Sequence, residues 1–295
     1  MLDVQRPIDE VVAQAREAAE AGFSSVWSSQ IFGYDALTLL AAIGERVPGI
    51  ELGTAVVPVQ PRHPVMLAAQ ALTVQALTRG RLTLGIGLSH QVVIEGVFGL
   101  PFDRPAGYMS EYLEVLMPLL NGRAAGFEGE RVRGRTPGPL DIPGATPPRV
   151  LLAALGRRML GMAGRLTDGT ATWMTGAKTV AEHVVPTLRR AADEAGRATP
   201  RVVVGLPVCV TDDPASAREQ AARVFAIYGQ LPSYRAMLDR EGAAGPEDVA
   251  VIGDERDLRS ALRELEAAGA TDLVAAPFGR PDARARTFEA LRSSA

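Results

Sequence analysis

Cysteine and histidine are scarce in this chain of 295 residues. The single cysteine, Cys209, excludes an intrachain disulfide framework and a multi-cysteine zinc site. Three histidines, His63, His90 and His183, are dispersed along the sequence, which argues against a metal centre. Neither sign of charge dominates: 31 Lys and Arg face 34 Asp and Glu, for a net charge of -3. That balance offers no broad basic field for nucleic acid. No run of about 18 apolar residues is present, so a membrane span is not expected. The opening "MLDVQRPIDE" reads as neither a secretory signal nor a transit peptide. The expectation is a cytoplasmic protein acting on a small molecule, without nucleic-acid or membrane partners. Apolar residues make up 47% of the chain, enough for a sizeable core.

Periodicity gives a repeating order of helix and strand. Ile8, Val11, Val12, Ala15, Ala18 and Ala19 follow helical spacing, with Pro7 and Asp9 suited to the start and Gly22 to the stop. "FSSVWSS" reads as a short buried strand. Leu37, Leu40, Ala41 and Gly44 mark a helix ended by Gly49; "IELGTAVV" is a strand. "HPVMLAAQALTVQAL" is a helix, and "RLTLGIG" a strand. Residues 91–108 read as a loop. "AGYMSEYLEVLMPLL" is an amphipathic helix, and "GFEGERVRG", within an insertion at 122–148, a small hairpin. The rhythm resumes with strand "RVLLAAL", helix "RRMLGMAGRL", strand "GTATWMT" and a helix over 178–195. Strand "RVVVGLPVCV" follows, then a helix from Pro214 to Tyr228 and an irregular insertion at 229–250. Helix "ERDLRSALRELEAAG" and strand "TDLVAAP" complete the series.

Alternating strands and helices predict a parallel sheet covered by helices. A closed β/α barrel needs eight strands. Seven are legible, around Val26, Leu52, Leu84, Val150, Thr170, Val203 and Leu273. The first helix begins by residue 8, so the remaining strand must lie within "LDVQR" and is predicted to be very short or missing. With no repeat or flexible linker dividing it, the chain reads as one domain over residues 1–295, with insertions at 91–108, 122–148 and 229–250.

In such barrels the active site lies on the loops after the strands. Two of these loops suit an anion. Gly85 and Gly87 permit a tight turn with inward-pointing N–H groups. "LGRRML" sets Gly156, Arg157 and Arg158 at a helix start, where free N–H groups and the helix dipole favour phosphate. Each has a plainer alternative: a turn for the glycines, a solvated face for the arginines. His90 suits hydrogen-bond or proton donation, Gln30 the orientation of a ring or carbonyl, and Trp173 stacking or plugging of the barrel mouth. Cys209 reads as core, Asp212 and Asp213 as a helix start, His63 as a helix-entry residue, and His183 as surface or packing.

The ordered set "AGFSSVW", "ELGTAVVPVQPRHP", "GRLTLGIGLSH" and "AALGRRMLGMAGRLTDGTATWMTG" resembles the luciferase-like monooxygenase superfamily, nearest its coenzyme F420-dependent oxidoreductases. The resemblance implies a (β/α)8 barrel with insertions and a deazaflavin (F420) or FMN cofactor at the mouth. It implies a bulge, often with a non-prolyl cis peptide, at Ala55 and Val56 behind the cofactor ring. It assigns phosphate contacts to Leu88, Ser89, His90, Gly156, Arg157, Arg158 and Met159. Relatives that oxidise sugar phosphates carry a histidine and a glutamate where this chain has Ile31 and His90. The pair that deprotonates an alcohol is therefore absent. This favours hydride transfer from reduced F420 to an activated C=C or C=N, with His90 or Tyr108 supplying the proton. An FMN-dependent monooxygenase and a non-catalytic cofactor-binding protein are the alternatives. The resemblance further implies a homodimer and a separate enzyme that reduces the F420 or flavin.

Overall fold

The alternation closes into a nearly complete parallel barrel in a computed structural model, which describes residues 1–294. Helix α1 (Ile8–Glu20) buries Val11, Val12, Ala15 and Ala18 on one face, as the spacing dictates. It is followed by β1 (Ser25–Ser28), α2 (Ala36–Arg46), β2 (Glu51–Thr54), the two-residue β3 (Val57–Pro58), α3 (Pro64–Leu77) and β4 (Leu82–Gly87). Next come α4 (Gln91–Gly96), α5 (Pro105–Leu120), the antiparallel hairpin of β5 (Gly126–Glu128) and β6 (Arg133–Arg135), β7 (Arg149–Ala153), α6 (Arg157–Leu166) and β8 (Gly169–Trp173). A helical stretch then runs from α7 (Ala177–Thr179) through a π-helical turn (Val180–Val184) into α8 (Val185–Glu194). The chain ends with β9 (Arg201–Val210), α9 (Pro214–Val224), α10 (Ala226–Gln230), α11 (Pro232–Glu241), β10 (Val251–Gly253), α12 (Glu255–Ala267), β11 (Asp272–Pro277) and α13 (Pro281–Arg292).

Around the barrel the order is β1, β2, β4, β7, β8, β9, β11, all parallel. The ring closes at a seam between β11 and β1. There the Met1 nitrogen donates to the Ala275 carbonyl at 2.8 Å, and the Leu2 N–H to the Trp27 carbonyl at 2.8 Å. The short first strand anticipated from "LDVQR" is thus a two-residue bridge without a ladder of its own.

Four sequence expectations need correction. Residues 91–108 are not simply a loop: α4 and the first turn of α5 occupy much of them. The insertion at 229–250 is not irregular, because α11 fills half of it. The helix predicted from Pro214 to Tyr228 breaks at Phe225, which ends α9 and precedes α10. Strand β10 and helix α13 had no counterpart in the sequence reading. β9 is ten residues long and outruns the barrel, so its last residues, Val208–Val210, pair with β10.

Outward-facing residues such as Leu84, Ile86, Val150, Leu152, Val202 and Val204 are fully buried under the helices. Each such side chain contributes roughly 1.5–3 kcal/mol. Inside the barrel, Trp27, Leu151, Ala171, Val203 and Val274 form a separate plug. Beneath it, Arg201 closes the floor, with Nη2 2.5 Å from Asp272 Oδ1 and Nη1 2.5 Å from Glu51 Oε1. Two residues further along each strand, the interior layer nearest the C-terminal ends holds Gly87, Ala153, Gly205 and Ala276. Trp173 is the one large member of this layer. Gly87 and Gly205 are buried, while Ala153 and Ala276 are part-exposed.

Candidate functional site

The loop after β2 forms the back wall. The peptide between Ala55 and Val56 is cis. Thr54, fully buried, donates through Oγ1 to the Gly85 carbonyl at 2.7 Å and accepts from the Gly85 N–H at 2.8 Å. This pins the end of β2 to β4 where their ladder has stopped. The Val56 side chain occupies space that only glycine leaves free. A Cβ on Gly85 would fall 2.0 Å from the Thr54 carbonyl oxygen, and one on Gly87 would fall 2.7 Å from Val56 Cγ2. This corrects the anion-turn reading of the two glycines. They lie inside β4, are buried, and make room for the wall. The turn itself falls two residues later, at Ser89, whose φ is 60°.

That turn sets His90 just ahead of α4 and half-buried. Its ring lies 5.7 Å from Tyr234 and 6.4 Å from Tyr228, both edge-on. Tyr228 and Tyr234 are 5.0 Å apart, and Trp173 is 6.0 Å from Tyr228 and 6.2 Å from Phe225. Trp173 stands on Gly205, where a Cβ would come 2.9 Å from the indole ring. Its Nε1 is buried and makes no hydrogen bond of normal geometry, although Tyr228 lies beside it. Burial lowers the His90 pKa, so the imidazole is neutral at neutral pH. Burial raises both Tyr228 and Tyr234, which therefore remain phenols.

The start of α6 faces the same end of the barrel. Gly156 occupies its N-cap without a side-chain cap, Arg157 and Arg158 are exposed, and Met159 is half-buried. Unsatisfied N–H groups at a helix start, with two guanidinium groups beside them, suit a phosphate. The preceding loop is anchored by His183, whose Nε2 lies 2.8 Å from the Leu155 carbonyl oxygen. Burial lowers the His183 pKa, and Arg240 and Arg157 reinforce that direction against the hydrogen bond to Leu155. His63 caps α3, its Nδ1 accepting from the Val65 N–H at 3.3 Å.

Two candidates are placed elsewhere. The Gln30 side-chain oxygen accepts from the Ala36 N–H at 2.8 Å and from Arg62 at 3.3 Å. It staples the loop after β1 to α2, so the carbonyl oxygen is already engaged. Tyr108 sits on α5 with its ring 6.0 Å from Tyr112 and packs against the helical core, not in the His90 cluster. Ile31 is largely exposed. Sequence reasoning missed Phe225, Tyr228 and Tyr234. Their spacing of three and six residues between α9 and α11 was the available signal.

A parallel barrel with His90, Trp173 and the start of α6 gathered at the C-terminal strand ends has the layout of the β/α-barrel enzymes. The luciferase-like monooxygenase family model matches residues 1–292, and the chain belongs to that family. It is 31% identical over 258 residues to an uncharacterized protein of Mycobacterium tuberculosis, covering 82% of this chain and 76% of the relative. It is 27% identical to an F420-dependent glucose-6-phosphate dehydrogenase of Nakamurella multipartita, over 85% of this chain and 77% of that one. Among solved structures, the coenzyme F420-dependent tetrahydromethanopterin reductase of Methanopyrus kandleri superposes with a TM-score of 0.82. The identity is 22%, covering 99% of this chain and 95% of that one. A type II Baeyer-Villiger monooxygenase of Pseudomonas putida in complex with FMN gives 0.76 at 17% identity, over 99% and 93% of the two chains.

Proposed function

We propose that the protein is an F420H2-dependent reductase that saturates an activated C=C or C=N bond in a small organic molecule. The observation that carries this reading is the uncapped start of α6. Gly156, Arg157 and Arg158 present N–H groups and two cations at the mouth, close to the Ala55–Val56 wall and its floor of small residues. The relatives named for F420 support it. The residues fit such a group in their chemistry: a wall at Ala55 and Val56 for which Gly85 and Gly87 make room, and N–H donors with two guanidinium groups at the start of α6 for a phosphate. When bound, reduced F420 supplies a hydride.

The chain's own residues do the rest. Ala55 and Val56 back the ring, while Leu88, Ser89, Gly156 and Met159 line the phosphate end. Arg157 and Arg158 meet the phosphate and the anionic glutamate tail. His90 presents a neutral imidazole whose ring N–H donates a hydrogen bond to the atom that becomes electron-rich. The proton itself is taken from solvent at the mouth and relayed through that imidazole. The aromatic cluster excludes water. A separate F420-reducing enzyme regenerates the cofactor, and the protein works as a homodimer.

Titration of the deazaflavin's visible fluorescence tests the reading, followed by anaerobic mixing with reduced F420 and candidate acceptors. Micromolar binding, weakened at least tenfold by Arg157→Ala with Arg158→Ala, is expected, since each charge-assisted contact contributes about 1.5–3 kcal/mol. Failure to bind F420 rejects it. Tighter binding of FMN, with substrate-dependent oxygen uptake, would instead establish an FMN monooxygenase. Cofactor binding without turnover of any acceptor would leave a non-catalytic carrier.

A further inference from the structure

We propose that His90, Trp173, Tyr228 and Tyr234 form an acceptor subsite selective for a flat, uncharged ring system; this rests on reading the barrel mouth as the redox site. The four rings form a continuous chain at 5.0 to 6.4 Å between centroids, with interplanar angles of 63° to 75°. Each turns its edge toward the next, so the half-exposed rings leave faces for a guest to complete further edge-to-face or stacked pairs. The rings are not part of the main core. They pack on a satellite cluster around Met174 and Leu238, formed by the end of β8 and by α11.

On α11, Arg235 and Glu241 are already committed. Arg235 on α11 binds Asp239 and the Ala243 and Ala244 carbonyls. Glu241 accepts the Lys178 and Thr179 N–H groups at 3.1 and 2.7 Å. A charged guest would lose its hydration and gain no partner from these groups. The entrance has the same character, because Ile31, Phe32, Val92, Val97, Val224 and Ile227 stand exposed on segments following β1, β4 and β9.

The test uses fluorenone, its carboxylate, and dicyclohexyl ketone, a ketone that is not flat. Binding is read from Trp173 emission, with Trp173→Phe giving the background from Trp27. F420 binding is read separately from the deazaflavin's own fluorescence. Fluorenone should bind at least tenfold tighter than either comparator. Tyr228→Leu and Tyr234→Leu should each weaken it by about tenfold, the worth of a lost aromatic pair, while Tyr228→Phe and Tyr234→Phe retain binding. Equal affinity for the carboxylate or for the dicyclohexyl ketone would overturn the proposal, as would full affinity in the leucine variants or loss in the phenylalanine ones. Fluorenone selectivity in a protein that fails to bind F420 would uphold the subsite and reject the reductase.

Discussion

Arg201 is a clasp across the barrel seam, and its removal tests that role. The residue begins β9, yet its guanidinium reaches Asp272 on β11 through Nε at 2.8 Å and Nη2 at 2.5 Å, and Glu51 on β2 at 2.5 Å. β11 and β2 lie on opposite sides of the two-residue bridge at Met1 and Leu2. The guanidinium carbon also sits 5.6 Å from the Trp27 ring centroid, and Thr83 donates to Glu51 at 2.8 Å. Side-chain exposures are 15% for Arg201, 27% for Glu51 and 18% for Asp272, so solvent screens the network weakly.

Arg201→Met keeps the length and strands two carboxylates. Breaking a buried network from one side costs about 3 kcal/mol or more. For a chain of this size the unfolding entropy is roughly 0.6 kcal/mol per degree, so the melting temperature should fall by about 5 °C. Calorimetry measures this, and hydrogen exchange should show faster opening at the seam than in β7 or β8. Neutralising both acids with Glu51→Gln and Asp272→Asn in the Arg201→Met background should recover most of the loss. The pH dependence has a defined sign. Burial alone would raise Asp272, but hydrogen bonds from Arg201 and Thr271 outweigh it and hold the carboxyl below its ordinary value. Its contribution is therefore present above about pH 4 and lost as pH falls through the lowered folded value. The gap between parent and variant should narrow there. A shift under about 1 °C at neutral pH, or no recovery in the neutral background, would refute the clasp.

Three further outcomes follow from the mouth and its surroundings. Gly87→Ala places a methyl 2.7 Å from Val56 Cγ2 and 3.1 Å from Ala153 Cβ; it should cost about 1–3 kcal/mol in calorimetry and weaken the F420 titration. Glu241→Ala removes the carboxylate that ties α11 to α7. It should cost about 1 kcal/mol and speed amide exchange in α7 and α11 while leaving β4 and β7 unchanged. His90 and His183 both have pKa values lowered by burial. The unfolded chain therefore takes up protons that the folded chain resists, and denaturant midpoints should fall as pH drops below about 6.5; equal midpoints on both sides of that pH would contradict it.

Local pattern carried much of the architecture. The helical spacing of Val11, Val12, Ala15 and Ala18, and the runs around Leu84 and Val203, depend on which face each residue buries, and that is written in neighbouring residues. The shortness of the first strand was legible because α1 starts so early. Contacts between distant segments were not legible. Gly85 and Gly87 look like a turn until Val56, some thirty residues earlier, is seen against them. Gln30 looks available until Arg62 and Ala36 take its oxygen. Tyr228 and Tyr234 straddle a helix break, and only the fold brings both against His90.

The satellite cluster around Met174 and Leu238 separates two tasks that share one cleft. The groups suited to a phosphate and a ring belong to the barrel strands and the loops that follow them. Two of the four rings proposed to meet the acceptor, Tyr228 and Tyr234, come from α10 and α11, and they pack on the satellite cluster rather than on the main core. Residues in that piece can be exchanged, one ring for another, without reworking the barrel beneath. On the proposed reading, acceptor preference is free to diverge while the cofactor cradle stays fixed.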